Sequence, residues 1–276
     1  MKKTLLAVLL IAGFSVPAMA QTAPAAAEAS PHSLTGNVAL VSSYRFRGID
    51  QTYGKPALQG GFDYAHSSGF YAGNWNSNVS SGAGFPDGNL EMDFYAGYKA
   101  SFGDFGVDVG GIYYYYPGSE AENLGLRADS GAVTNTELYI AGSWKFLTLK
   151  YSYSVDDYFS LRSSTGKGTD GTGYLELNAS YDLGDGWGIN GHIGKLNLKN
   201  ISAGDYTDWK IGVTKDINGW VVGVSYIDTN ANGSCSKGEF YCFAKSLQDE
   251  GSSLDASSST KDAGRGIAVL SVSRSF

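Results

Sequence analysis

The sequence predicts an all-β chain, a transmembrane antiparallel up-and-down β-barrel of about 12 strands. Three observations carry that expectation. Composition is the first: 38 Gly, 19 Tyr, 13 Phe and 5 Trp with only 17% charged residues. Such a balance suits many strands joined by turns, with amphipathic rings at membrane–water boundaries. The second is apolar residues recurring at every other position in run after run. The third is that short and long connections take turns along the chain, as they do when one rim of a barrel carries tight turns and the other carries loops. A secreted β-sandwich shares the first two features but has no reason to alternate its connections.

The chain opens with Lys2 and Lys3, an apolar run from Leu5 to Phe14, then Pro17 and the small-x-small triplet Ala18-Met19-Ala20. This is the layout of a secretory signal peptide over residues 1–20, cut before Gln21. Its apolar run is too short to span a bilayer as a helix, and no later stretch approaches the ~20 apolar residues a helix needs. Insertion would therefore use strands. Residues 21–33 read as a periplasmic leader and 34–276 as the barrel.

In the first strand Val38, Leu40, Tyr44 and Phe46 share one face, with Asn37, Ser43, Arg45 and Arg47 on the other. A second strand sets Leu58, Phe62 and Tyr64 against Gln59 and Asp63, and a third carries Tyr71, Trp75 and Val79. Next, Leu90, Met92, Phe94, Ala96 and Tyr98 oppose Glu91, Asp93, Tyr95 and Lys99; then Phe105, Val107, Val109, Tyr113 and Tyr115 oppose Asp108. After a long loop, Leu138, Ile140 and Trp144 oppose Glu137, Tyr139 and Lys145, and Leu149, Tyr151 and Tyr153 oppose Lys150 and Ser152. Leu175, Leu177 and Tyr181 oppose Glu176; Trp187, Ile189 and Ile193 follow, with a break in alternation near Lys195 that suggests a bulge. Trp209, Ile211 and Val213, then Trp220, Val222, Val224 and Tyr226, form one more hairpin. The last strand places Ala268, Leu270, Val272, Arg274 and Phe276 on one side and Ser271, Ser273 and Ser275 on the other. An apolar strand ending in an aromatic is the form that outer-membrane assembly machinery reads, so that machinery is an expected partner through Phe276.

Inward positions on this reading are Arg45, Arg47, Asp63, Glu91, Asp93, Lys99, Asp108, Glu137, Lys145, Lys150 and Glu176, with Lys210, a nearly balanced polar lining. Arg45 and Arg47 on the first strand, facing Glu91 and Asp93, would set a transverse field across a constriction. The competing reading is that these charges pair and stiffen the wall. The formal net charge of −7 and the lack of a basic stripe exclude nucleic acid.

Cys235 and Cys242 in an exported chain suggest a small disulfide loop. Asp228, Asn230, Asn232 and Glu239 stand at the spacing of a calcium loop, although only two are charged and Lys237 lies inside it. The ordinary reading is a polar loop. Gly166 to Gly171 matches GxGxxG but precedes a strand, which does not fit a dinucleotide site. His192 is the one histidine placed for lumen chemistry, and no catalytic motif surrounds it.

The stretch Ser43-Tyr44-Arg45-Phe46-Arg47-Gly48, with Gln51-Thr52, Pro56-Ala57, Gln59-Gly60 and Asp63-Tyr64, resembles the opening of the TorF family of porins. The resemblance continues less sharply through Trp75, Ser77-Asn78-Val79 and Glu91 to Tyr95. It implies an outer-membrane barrel with a pore, names no solute and brings no catalytic residue to carry over; with no nucleophile and base motif in the chain, no enzyme is expected, and no cofactor apart from the calcium pattern. The expected function is passive diffusion of small hydrophilic solutes by a barrel set in outer-membrane lipid. The alternative is a non-conducting structural or adhesive barrel whose outer loops bind partners, with an outer-membrane lipase a distant third.

Overall fold

A computed structural model describes residues 30–124, 131–245 and 259–276. The proposed signal peptide and most of the leader lie outside the described residues. Among those described, twelve antiparallel strands close into one barrel. They are β1 (His32–Val41), β2 (Ala57–His66), β3 (Phe70–Asn78), β4 (Leu90–Phe102), β5 (Phe105–Tyr116), β6 (Val133–Trp144), β7 (Leu147–Ser154), β8 (Gly173–Gly184), β9 (Trp187–Asn197), β10 (Tyr206–Ile217), β11 (Trp220–Thr229) and β12 (Ile267–Ser275). Each pairs with its neighbour in sequence, and β12 returns to β1 with Val38 opposite Arg274 and Leu40 opposite Val272. No sheet edge is left open, which is the condition for a backbone to sit in hydrocarbon. Two stacked sheets are not formed. No described helix is long and apolar enough to cross a membrane.

The seam closes at the chain end. Gly36 N–H donates to the Phe276 carbonyl at 2.8 Å and Phe276 N–H to the Gly36 carbonyl at 3.0 Å. The Phe276 ring lies over Gly36, beside Phe62.

The outer face is predominantly apolar, with Asn74 and Asn76 on β3 its polar exception within the belt and Lys195 toward the loop end of β9. Leu58, Phe62, Leu138, Ile140, Ile211, Val224 and Leu270 each keep about half or more of their surface exposed. Exposed aromatics gather at both ends of this belt: Phe70, Tyr98, Phe102, Phe105, Trp144, Trp187 and Trp220 near the tight turns, and Tyr113, Tyr151, Tyr153, Trp209 and Tyr226 toward the loops. Soluble monomers rarely expose contiguous apolar patches beyond a few hundred Å². A broad apolar belt with two aromatic girdles is the surface of a barrel that meets lipid.

Several expectations from the sequence need correction. The first strand ends at Val41, and Tyr44 and Phe46 are buried inside the barrel rather than placed on its outer face. It also begins at His32, two residues inside the expected leader. Trp75 and Val79 face inward and are buried, while Asn74 and Asn76 occupy the outer face of β3 and hydrogen-bond each other and the Asp93 and Gly60 carbonyls. Alternation in β9 does not break. Lys195 points outward and Leu196 inward, without a register shift at that point. Apolar residues look inward here because the loop half of the barrel is filled.

Candidate functional site

The loop half of the barrel is filled by residues of several connections, among them Phe85, Tyr158, Phe159 and Tyr241, packed around the first long loop, residues 42–56. Past Val41 this first loop turns into the lumen and forms a hairpin of Arg45–Phe46 paired with Ile49–Asp50. Its tip is Arg47 (φ 48°) and Gly48 (φ 80°). Positive φ at both central residues is the signature of a type I′ turn. Gly48 is required twice, because a Cβ there would also run into Thr229 and Asp208 on the far wall. Arg47 occupies a conformation unfavourable for a residue with a Cβ, and such positions persist when the surroundings over-determine them.

The surroundings do. Arg47 makes a two-pronged bridge to Glu137 on β6, Nη1 to Oε1 at 2.9 Å and Nη2 to Oε2 at 2.7 Å. The planar fork of a guanidinium matches a carboxylate in this way. The same guanidinium sits 4.1 Å from the Tyr174 ring centroid on β8 and donates to the Tyr158 hydroxyl at 3.3 Å. Only 8% of the Arg47 side chain and 2% of the Glu137 side chain is exposed.

Other contacts fix the root of the hairpin. Arg45 Nη1 donates to the Ala263 carbonyl at 2.8 Å, and Asp50 receives Lys261 at 3.0 Å. Both partners belong to the last long loop. The Tyr44 hydroxyl donates to Glu91 Oε1 at 3.2 Å. Burial first, and then the Glu91 charge, pushes the Tyr44 phenol well above its usual pKa, so it remains a donor. Phe46 packs edge-on against Tyr114 and Phe159, and Tyr44 against Trp75.

The sequence-predicted lining therefore divides. Asp63, Glu91, Asp93, Lys99, Asp108, Glu137, Lys150 and Glu176 all sit on strands at inward-facing register positions. Arg45 and Arg47 are in the lumen but on the inserted hairpin, not on the wall. They do not oppose Glu91 and Asp93; their carboxylates are Asp50 and Glu137. Lys145 is not in the lumen. It occupies the tight turn after β6 with φ 54°, over the Trp144 ring, where the chain reverses and alternation no longer applies.

Cys235 and Cys242 are bonded, with Cα atoms 4.9 Å apart. The second cysteine starts a short strand, Cys242–Ala244, paired with Thr260–Asp262 next to the residues that hold Arg45 and Asp50. Replacing both cysteines with Ser should lower the local stability of this loop by about 2.5 kcal/mol from loop-closure entropy. Faster protease cleavage between 235 and 242, with the barrel still intact, is the expected reading.

The calcium pattern is not assembled. Asn230 caps the Thr207 amide at 2.7 Å, Glu239 accepts from the Ser234 amide at 2.8 Å, and Asp228 accepts from the Thr229 amide at 2.9 Å. Asn232 contributes its carbonyl to Tyr241 N–H. The side-chain oxygens turn to separate backbone amides, and no group of three His, Cys, Asp or Glu among the described residues could hold a metal ion. His192 lies within hydrogen-bond distance of Asp208 (2.8 Å), Tyr174 (2.9 Å) and Asn178 (2.8 Å), with no Ser or Cys among those partners.

Sequence reasoning put Tyr95 and Tyr139 on the inward faces but Tyr71 with the apolar residues of its strand, and it missed what these tyrosines and Tyr174 hold and the plug contacts around them. One signal existed: Gly73, Gly97, Gly110 and Gly194 stand at inward positions on neighbouring strands, and a Cβ at each would collide with the hydroxyl end of one of those tyrosines.

Among solved structures the chain is similar to the KdgM porin at 10% identity, covering 88% of this chain and 99% of that one, with a TM-score of 0.48. The NanC porin gives 9% identity, 88% and 99% coverage, and a TM-score of 0.47. The P. putida toluene transporter TodX gives 12% identity, 90% of each chain and a TM-score of 0.43. No curated protein matches the chain. The model of Gcw_chp, described as a bacterial protein of unknown function, matches residues 25–251. The chain belongs to the Gcw_chp family.

Proposed function

We propose that the protein is a bacterial outer-membrane porin that passes small hydrophilic solutes by diffusion, and that its first loop is a plug which must shift for passage. The observation that carries this reading is the way the lumen is filled. A polar, charge-lined wall runs from β2 to β10, and the loop half is closed by a hairpin whose described backbone bonds outside itself, Asp50 N–H to the Ala263 carbonyl and Ser80 N–H to the Gln51 carbonyl, run to other loops and not to the barrel ladder. Across the barrel it is gripped by side-chain contacts centred on one ion pair. Side-chain contacts can be exchanged for water without breaking the strand ladder. The tight turns would face the periplasm and the long loops the outside, as in barrels of this kind. The resemblance of the first hairpin to the TorF porins favours the same reading.

Uptake into liposomes is the test. Vesicles carrying the refolded protein should take up a small neutral sugar slowly, and vesicles carrying Arg47→Ser should take it up faster. Absence of uptake in both would leave the second reading, a non-conducting barrel with partner-binding outer loops. The observation favouring that rival is the near-complete burial of the Arg47–Glu137 bridge.

Insertion in cells would use the last strand. Phe276→Ala should reduce the amount of protein reaching the outer membrane severalfold, while the same variant still folds into detergent micelles. Cell fractionation beside in-vitro refolding separates these two outcomes. Equal losses in both would assign Phe276 to the seam with Gly36 alone.

A further inference from the structure

Between the hairpin and the tight turns lies a second cluster of charges, and its two signs are held differently. Asp63 accepts from the Tyr95 hydroxyl at 2.5 Å and from Asn37 at 3.2 Å. Asp108 accepts from Tyr71 at 2.6 Å. Asp208 accepts from Tyr174 at 2.8 Å and faces His192 at 2.8 Å, and Glu176 accepts from Asn178 at 2.8 Å. Every one of these carboxylates is thus bonded to the wall.

The ammonium groups stand further out. Lys99 Nζ is 3.6 Å from Asp108 and 4.3 Å from the Tyr71 ring centroid; Lys150 Nζ is 3.9 Å from Glu176 and 4.5 Å from the Tyr139 ring centroid. Both separations from the carboxylates exceed hydrogen-bond length. The rings beneath are themselves fixed. The Tyr71 and Tyr139 hydroxyls bond each other, and each rests where an inward glycine, Gly97 or Gly110, leaves room. The Lys99 side chain is 33% exposed against 12% for its carboxylate, whereas Lys150 and Glu176 are alike at 15% and 16%. In each pair one carboxylate oxygen is held by the wall and the other faces the ammonium beyond hydrogen-bond length, so the three donors of each lysine, set on an aromatic platform, remain open to a solute in the lumen.

We propose that Lys99 and Lys150 form an anion-binding stage in the lumen and that the pore prefers small anionic solutes, although the chain as a whole is acidic. This rests on the porin reading and gives it a substrate class. At the tight-turn rim Asp104 and Asp185 sit in the turns themselves, and the carboxylates of Asp182 and Asp216 accept the turn amides of Gly184 and Gly219 at 2.8 Å each. They lie at the open rim, where salt screens them over about 8 Å. Lys99 and Lys150 act inside the barrel, where charge is screened less.

Two measurements on the full-length refolded protein test the proposal. In a planar bilayer under a KCl gradient, wild type, or Arg47→Ser if wild type stays closed, should favour chloride over potassium by at least about threefold. Adding Lys99→Gln and Lys150→Gln should bring that ratio to one or below. In calorimetry with citrate as probe, wild type should bind and the double Gln variant should bind at least about tenfold more weakly. Potassium preference in the parent, or a chloride preference that survives the double substitution, overturns the proposal. A barrel that binds citrate through these lysines but never conducts would sink the porin reading and leave the anion site standing. A barrel that conducts without chloride preference and ignores citrate would do the reverse.

Discussion

With Arg47 replaced by Ser, single channels should open far more often and carry more current than in the wild type. The substitution removes both prongs of the bridge to Glu137 and the guanidinium over Tyr174. It also leaves Glu137 buried at 2% exposure with Asn135 as its remaining side-chain donor. Removing one partner of a buried ion pair costs about 3–5 kcal/mol. That cost falls on the plugged state alone, so the displaced state should gain population at least about a hundredfold. Glu137→Gln should act in the same direction. The double variant Arg47→Ser with Glu137→Gln should be less extreme than the sum of the singles, because the two residues share one interaction. Open probability in bilayer recordings is the quantity to compare, and unchanged gating in all three variants would remove the bridge from the mechanism.

The second large effect concerns the outer surface. Leu138→Arg, in the middle of β6 and 55% exposed, should destabilise the barrel in lipid vesicles by about 2–4 kcal/mol, as expected for a basic side chain near the bilayer midplane. In a protein whose outer face met water, the same change at an exposed site would stay within about 0.5 kcal/mol. Denaturant titration of the vesicle-inserted protein distinguishes these values.

Strand number, direction and most outward residues were legible because lipid imposes one rule on every strand: apolar out, every second residue. Leu138, Ile140, Val222, Val224 and Leu270 obey it and sit where alternation puts them. The first strand shows why the site was harder to read. Alternation runs past Val41 through Tyr44 and Phe46, since a segment inserted in the lumen also presents apolar groups at a period of two. Periodicity reports that two faces differ, and not which environment each one meets. The same ambiguity hid Trp75, Val79 and Leu196, inward apolar residues that look outward to a pattern that assumes a wet interior. Gly48 was the available cue, because a Gly takes positive φ without steric cost and so permits a reversal within what had read as one strand. The partner Glu137 could not be paired with Arg47 from spacing, as ninety residues separate them. In the last loop, oxygens at calcium-loop intervals were real, but Asn230 and Glu239 were needed to cap local amides.

The most direct measurement is planar-bilayer conductance of the refolded chain beside a variant in which residues 45–50 are replaced by a short Gly-Ser link. A barrel whose lumen is closed by a removable hairpin should give rare or small openings in the first case and steady, larger steps in the second. Silence from both proteins, each shown to be inserted in the bilayer, would mean that the lumen is closed without the hairpin and that the barrel is no pore.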